Sequence, residues 1–275
     1  MRIFVAGLRK MIGRPASIVS VGLMVGLLGL IIIASVTIGQ SETSPARQAA
    51  ARALVTFPGA YDVILAFLYQ FGGLVALIYG AAIAGSEWSW GTLKNAVARG
   101  ESRARYMLST FGAIVVMIAA GLALSFALGV VLALVGATIA GVSTAGLTDA
   151  DTLTRLPAMA ARGWFAVVEQ AALGFAIATL ARSQLAGIGA GIAFYFGEGF
   201  ATLFLPDIIK YMPFAVARSS LATGASGGAF GGGGGGAAAA ASGLAPDTAL
   251  VLVGVWLVGA LAVTVLFTER AEITG

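Results

Sequence analysis

Long apolar runs separated by short polar connections dominate the chain. Six of the runs are long enough to cross a membrane, because a spanning helix needs about 20 mainly apolar residues. The predicted spans cover residues 15–38, 61–84, 107–136, 163–180, 185–205 and 249–267. Since lipid offers no partner for an unpaired peptide group, these runs are expected to be helical. The pattern therefore predicts an all-α integral membrane protein in which residues 1–275 form a single transmembrane domain.

A short basic segment precedes the first span. Residues 1–14 place Phe4, Leu8 and Met11 on one helical stripe and also carry four basic residues. This pattern predicts an interfacial helix lying along the membrane surface, and the alternative is a plain positive flank of the first span. Within that span, Gly22 and Gly26 form a small-xxx-small pair, a spacing that so glycine-rich a chain produces by chance.

Two unusual stretches lie between the fifth and sixth runs, within residues 206–245. Residues 206–222 have two prolines, one Lys and one Arg among apolar residues, which predicts short interfacial or re-entrant helices. Residues 223–245 are almost entirely Gly, Ala and Ser, and glycine-rich sequence has little helix propensity. We therefore expect an external flexible loop there rather than a seventh span.

The composition of the chain disfavours several classes of function. The chain is 59% hydrophobic and only 10% charged, with a mean hydropathy of +0.97, so a soluble domain is disfavoured. It contains neither cysteine nor histidine, which removes thiolate chemistry, the usual metal ligand and the usual neutral-pH base. We therefore expect a non-catalytic chain with no catalytic, cofactor-binding or metal-binding residues of its own.

Basic residues are distributed unequally between the two sides of the predicted spans. Ten of the 16 Lys and Arg residues fall on the side that holds both termini and residues 85–108. The positive-inside rule places that side in the cytoplasm and the glycine-rich loop outside. We expect a multi-pass protein of a prokaryotic cytoplasmic membrane.

Residues 85–108, here called the basic segment, are the most polar interruption between two long spans. The segment reads GSEWSWGTLKNAVARGESRARYML, and it holds Lys94, Arg99, Arg103 and Arg105. Leu93, Ala96 and Val97 share one helical face, which predicts a short amphipathic helix bounded by Gly91 and Gly100. Such a helix can dock into a groove on a soluble protein, or the segment can be a loop that only fixes topology.

The basic segment resembles the stretch that follows the second span in permease subunits of type 2 ATP-binding-cassette exporters. The residues that carry the resemblance are Glu87, Gly91-Thr92-Leu93-Lys94, Gly100-Glu101-Ser102-Arg103 and Tyr106. The resemblance extends over most of the chain. It includes the N-terminal interfacial helix, the six spans, the Leu-Pro and Met-Pro steps after the fifth span, and the Phe267 to Arg270 flank. The poly-Gly run and the unusually apolar third span depart from the family pattern.

The resemblance implies a coupling helix that seats in a separate, soluble ATP-binding-cassette ATPase. It also implies two permease copies around a central path, with a homodimer favoured over a heterodimer, and no nucleic-acid partner. The chain has no GxxxxGK[ST] loop, so ATP and Mg²⁺ are expected on the partner ATPase. The implied cargo is an amphipathic or hydrophobic substrate. The residues expected at the ATPase-coupling interface are Glu87, Gly91, Thr92, Leu93, Lys94, Val97, Gly100, Ser102 and Arg103.

Two acidic residues lie well inside predicted spans, at least six residues from either end, where ionisable groups are costly and are functional candidates. These are Glu169 and Glu198. Arg162 lies seven residues before Glu169 on the same helical face, so a structural ion pair is one interpretation and a polar lining of an exit path is the other. Aromatic residues on the second and fifth spans are further candidates for a substrate path, although such residues are more often packing or interface anchors. They are Tyr69, Phe71, Tyr79, Tyr195 and Phe196.

Two rival functions remain open. A stand-alone secondary transporter or channel driven by an ion gradient would need ionisable or broken-helix features near the midplane, usually in two repeats. The acidic residues lie off-centre and no repeat is visible. An intramembrane enzyme is disfavoured because the chain has few groups that could perform the chemistry.

Overall fold

The computed structural model describes residues 2–41, 44–221 and 244–271, and within these ranges the chain is helical with no strand. The helices are α1 (Arg2–Ile12), α2 (Pro15–Ser41), α3 (Pro45–Ala53), α4 (Gly59–Ser89), α5 (Thr92–Ala98), α6 (Arg103–Ala140), α7 (Ala150–Ala181), α8 (Gln184–Ala201), α9 (Pro206–Ile209), α10 (Pro213–Ser220) and α11 (Pro246–Arg270). A single 3-10 turn, Ala145–Thr148, precedes α7. The expected glycine-rich loop lies outside the described residues, except for its last two positions.

Among the described residues, five helices are long and apolar enough to cross a membrane: α2, α4, α6, α7 and α11. The chain is therefore a multi-pass membrane protein. The fifth predicted span corresponds mainly to α8, which has 18 residues and is not among these five. Gln184, Glu198 and five glycines dilute the apolar character of α8.

Helices α4 and α7 form the centre of the bundle, and they meet at two glycines. A Cβ atom on Gly80 would lie 2.2 Å from the carbonyl oxygen of Ala171, and one on Gly174 would lie 2.0 Å from that of Leu77. No side chain fits at either position, so the two backbones are in direct contact. By contrast, a Cβ on Gly22 would meet nothing within 4 Å.

One end of the bundle gathers the most basic parts of the chain, and we call it the basic end. It comprises α1, the basic segment, the α7–α8 turn and the end of α11. The Lys10 ammonium of α1 contacts the Glu87 carboxylate at 2.7 Å. The Arg182 guanidinium of the turn lies 5.4 Å from the centre of the Trp88 ring. These contacts place segments that are distant in sequence side by side.

Helix α7 begins at Ala150, thirteen residues before the start of the fourth predicted span. Its N-cap is Asp149, whose carboxylate accepts hydrogen bonds from the backbone N–H of Thr152 at 2.9 Å and from the Thr152 hydroxyl at 2.6 Å. Both bonds stabilise the carboxylate and lower the pKa of Asp149. Asp151 and Arg155, which precede the fourth predicted span, therefore lie in the polar first turns of this helix.

Candidate functional site

A buried carboxylate, that of Glu87, organises the basic end. Its Oε1 accepts a hydrogen bond from Lys10 Nζ at 2.7 Å and lies 3.6 Å from Nη2 of Arg14. Its Oε2 accepts from the Tyr106 hydroxyl at 2.6 Å and also from the Thr92 hydroxyl. Glu87 itself is only 1% exposed. One side chain thus joins α1, α4, α5 and α6, and its position excludes direct contact with a partner protein.

Helix α5 packs its apolar face on its own bundle. Leu93 is 1% exposed and belongs to the main hydrophobic core, and Val97 packs against that core. Lys94, Asn95 and Ala98 face outward. The sequence places Leu93 and Val97 at an interface with a partner, but in this structure they are covered by the chain itself. The surface that α5 offers to another protein is polar.

The two glycines at the ends of α5 are required by the backbone. Gly91 has φ +66° and Gly100 has φ +86°, a left-handed conformation that residues with a Cβ rarely adopt. A Cβ at either position would meet nothing within 4 Å, so space is not the constraint. Just beyond, the Ser102 hydroxyl accepts a hydrogen bond from the backbone N–H of Arg105 at 3.4 Å and caps α6.

Arg103 connects the start of α6 to the end of α11. Its Nη1 donates to the carbonyl oxygens of Thr268, Glu269 and Ala271 at 3.3, 3.1 and 2.7 Å. In return, Oε1 of Glu269 accepts from the backbone N–H of Ala104 at 3.0 Å. Each helix end thus receives the charge that its dipole favours. Arg103 has a structural role within the chain, at the position where a coupling contact was expected.

The outward surface of the basic end has one large aromatic residue. Trp90 is 63% exposed, and the Arg14 guanidinium lies 5.1 Å from its ring centre. We call the exposed set Trp90, Lys94, Asn95, Ala98 and Arg99 the coupling face. Of its members, Trp90 and Arg99 are of residue types that are enriched at protein interfaces.

The aromatic residues proposed for a substrate path on α4 divide into two groups. Tyr69 is buried and donates to the carbonyl oxygen of Met159 at 3.1 Å, and Tyr79 is buried with its hydroxyl 2.9 Å from the Ser17 hydroxyl. Both therefore pack inside the bundle. Phe71 instead lies on the bundle surface.

Glu198 on α8 caps a neighbouring helix. Its carboxylate accepts from the backbone N–H of Phe214 at 3.2 Å and from that of Ala215, and it lies 3.7 Å from Nη2 of Arg218. The two N–H groups lie in the first turn of α10 and Arg218 lies in its last turn, so Glu198 fixes α10 against α8. Sequence reasoning identified the residue, but it could not identify these partners.

Two aromatic neighbours of Glu198 differ in their surroundings. The Tyr195 ring packs edge-on against Phe214 with centroids 4.9 Å apart. Phe196 is exposed. Of the two aromatic path candidates on α8, only Phe196 is on the surface.

Glu169 does not pair with Arg162, and that interpretation of the spacing is wrong. Arg162 contacts Asp247 at the start of α11, at 2.5 Å. Two residues seven positions apart on a helix share a face, but they are separated by about 10 Å of rise, which explains the error. Glu169 is fully buried, and neither of its carboxyl oxygens has a hydrogen-bond partner among the described residues.

Comparison with known proteins assigns a family. The chain belongs to the family described as protein of unknown function DUF2705, whose model matches residues 27–239. The match includes the basic segment and the three buried glutamates Glu87, Glu169 and Glu198. None of the curated proteins compared matches the chain. In the part of the chain that the structure describes, no group of three or more acidic residues could hold a metal ion.

Proposed function

We propose that this DUF2705 chain is the membrane-spanning permease subunit of an ATP-binding-cassette exporter. A separate soluble ATPase supplies ATP hydrolysis, and ATP and Mg²⁺ bind to that partner. The observation that carries the proposal is the rigid attachment of α5 to the bundle through Glu87. A coupling helix must transmit the movement of the ATPase to the spans, and a helix loosely tethered to the bundle cannot do so.

The attachment of α5 has two components. Its apolar face is packed in the core through Leu93, and its first residue, Thr92, shares the Glu87 carboxylate with Tyr106 of α6. A displacement of α5 would therefore move the end of α4 and the start of α6 with it. The coupling face stays outside and is the surface that the ATPase contacts.

The proposal includes α8 as a sixth span, in addition to the five helices that are long and apolar enough to cross a membrane. An even number of spans keeps both termini on one side, in agreement with the gathering of α1 and the end of α11 at the basic end. The positive-inside rule then places the basic end in the cytoplasm. The external side holds α9, α10 and the glycine-rich loop.

Two copies of the chain would form the transporter, with the substrate path between them. Phe71 and Phe196 are exposed in the single chain, so they are the aromatic candidates for lining that path. Tyr69, Tyr79 and Tyr195 pack within one copy. The cargo would be amphipathic or hydrophobic.

A second candidate function is a secondary transporter driven by an ion gradient. The observation that favours it is Glu169, a buried carboxyl without a hydrogen-bond partner among the described residues. Intramembrane carboxyls of this kind are functional candidates by default. Uptake or efflux driven by an ion gradient in vesicles that contain this chain alone would favour this alternative.

The test of the exporter proposal is co-expression with a soluble protein that contains a GxxxxGK[ST] loop and is encoded by a neighbouring reading frame. We expect the two proteins to co-purify in detergent and the membrane chain to change the rate of ATP hydrolysis. Transport that needs no ATPase would contradict the proposal.

A further inference from the structure

Two cavities lie at different depths between neighbouring helices of the bundle. The first, of about 330 Å³, is at the basic end between α1, α5 and α6 and the end of α4. The second, a groove of about 200 Å³, lies between α2, α4 and α6. We call them the basic cavity and the apolar groove.

The residues that line the two cavities lie on the same stripes of α4 and α6. On α4, Tyr79 lines the apolar groove and Glu87 lines the basic cavity, eight residues or about 12 Å further along the helix. On α6, the lining residues Tyr106, Thr110, Met117, Gly121 and Ser125 recur at helical spacing. The apolar groove therefore lies directly deeper in the membrane than the basic cavity.

The basic cavity has an excess of positive charge. Lys10, Arg14 and Arg99 line it together with the acidic residues Glu87 and Glu101. The Nη2 atom of Arg14 is buried and makes no hydrogen bond among the described residues, although it lies 3.6 Å from Oε1 of Glu87. Guanidinium groups match phosphate oxygens in geometry and charge, so the cavity suits a headgroup with one negative charge.

The apolar groove complements the basic cavity. Its lining is mainly apolar, and the two hydroxyls of Ser17 and Tyr79 are bonded to each other. Leu124, at the edge of the groove, is half exposed, so the groove opens sideways from the bundle. An apolar groove that opens toward lipid fits an acyl chain.

We propose that the two cavities together bind one anionic phospholipid from the leaflet at the basic end. The phosphate lies among Lys10, Arg14 and Arg99, and one acyl chain enters the apolar groove. The order of the two cavities matches the order of a lipid, with its charged head at the membrane surface and its chain deeper. The inference requires only that the chain spans a membrane, and it does not depend on the exporter proposal.

The test is native mass spectrometry of the full chain, purified in detergent without an ATPase and titrated with phosphatidylglycerol or phosphatidylcholine. We expect a single phosphatidylglycerol adduct whose affinity is about tenfold higher than that for phosphatidylcholine, roughly the effect of one lost charged contact. Glycerol phosphate serves as the free-headgroup probe. It should compete weakly, because it cannot occupy the groove.

Two pairs of matched variants separate the cavity from general lipid binding. Arg99→Gln should remove the preference for phosphatidylglycerol, while Arg105→Gln removes the same charge from an exposed position outside the cavity lining and should not. Gly121→Leu should block the adduct by filling the groove. Gly22→Leu is its control, because a Cβ there meets nothing within 4 Å.

Equal affinity for the two lipids would overturn the proposal, as would equal effects of a variant and its matched control. Full competition by glycerol phosphate would also overturn it, because the acyl chain would then contribute nothing. Melting temperatures of all four variants show that each is folded before its adducts are compared.

Discussion

The hydroxyl of Tyr106 donates a 2.6 Å hydrogen bond to the buried carboxylate of Glu87, and this contact joins the start of α6 to the end of α4. The same carboxylate holds α1 through Lys10 and α5 through Thr92. The four helices at the basic end therefore depend on one charge. This dependence leads to the first prediction.

Glu87→Gln should destabilise the whole protein. The amide keeps the shape of the side chain but removes the counter-charge of Lys10 and Arg14, and breaking a buried pair in this way costs about 3 kcal/mol. Thermal unfolding in detergent, followed by tryptophan fluorescence, should show a clearly lower Tm. Glu101→Gln, which removes an acidic residue from the same cavity, should have a small effect. Equal Tm values for the two variants would contradict this role of Glu87.

The apolar pattern predicted α5 and its apolar face, but not what covers that face. Leu93 and Val97 do form one stripe, yet an apolar stripe carries no information about whether its partner is the same chain or another. Glu87 was identified by resemblance alone. Its ion-pair partner Lys10 is 77 residues away in the sequence, and helical periodicity relates only residues within one helix.

Close packing of α4 and α7 gives the second prediction. Gly174→Ala places a Cβ against the backbone of Leu77, where no flexible side chain can move aside, so overpacking should cost about 1–3 kcal/mol. Gly189→Ala on α8 is the matched control, since its Cβ meets nothing within 4 Å. The measurement is the fraction of monodisperse protein after heating. A Gly174→Ala protein as stable as the control would contradict the close approach of the two helices.

Glycine pairs show why this contact was missed from the sequence. Gly22 and Gly26 have the spacing of a packing motif, but Gly22 faces open space. Gly80 and Gly174 lie on different helices and share no local pattern. In a chain with 39 glycines, spacing within one span does not identify the positions where backbones meet.

Glu198→Gln should reduce the amount of folded protein. The neutral side chain accepts more weakly from the N–H groups of Phe214 and Ala215 and loses its attraction to Arg218, a change worth about 1–3 kcal/mol. We expect less protein in the folded peak on size-exclusion chromatography. The control is Asp207→Asn, because the exposed Asp207–Lys210 pair contributes little. Full recovery of folded Glu198→Gln with reduced transport would instead assign Glu198 to the substrate path.

The coupling face provides the test of the exporter account. Leu93→Asp is unsuitable for this purpose because Leu93 is buried, and a charge there would disturb the bundle itself. Trp90 and Ala98 are exposed, so changes at these positions leave the core intact. Truncation of an exposed aromatic anchor commonly costs about 2 kcal/mol, or roughly thirtyfold in affinity. Ala98→Trp should block the same surface by its bulk.

The measurement that tests the central claim is pull-down of the ATPase by wild type, Trp90→Ala and Ala98→Trp, together with ATP hydrolysis in reconstituted membranes. Phe204→Ala is the control, since Phe204 is also an exposed aromatic residue but follows α8, away from the basic end. We predict that Trp90→Ala and Ala98→Trp remain folded but lose both ATPase binding and the change in hydrolysis rate, while Phe204→Ala behaves as wild type. Wild-type binding and hydrolysis in both coupling-face variants would contradict the account.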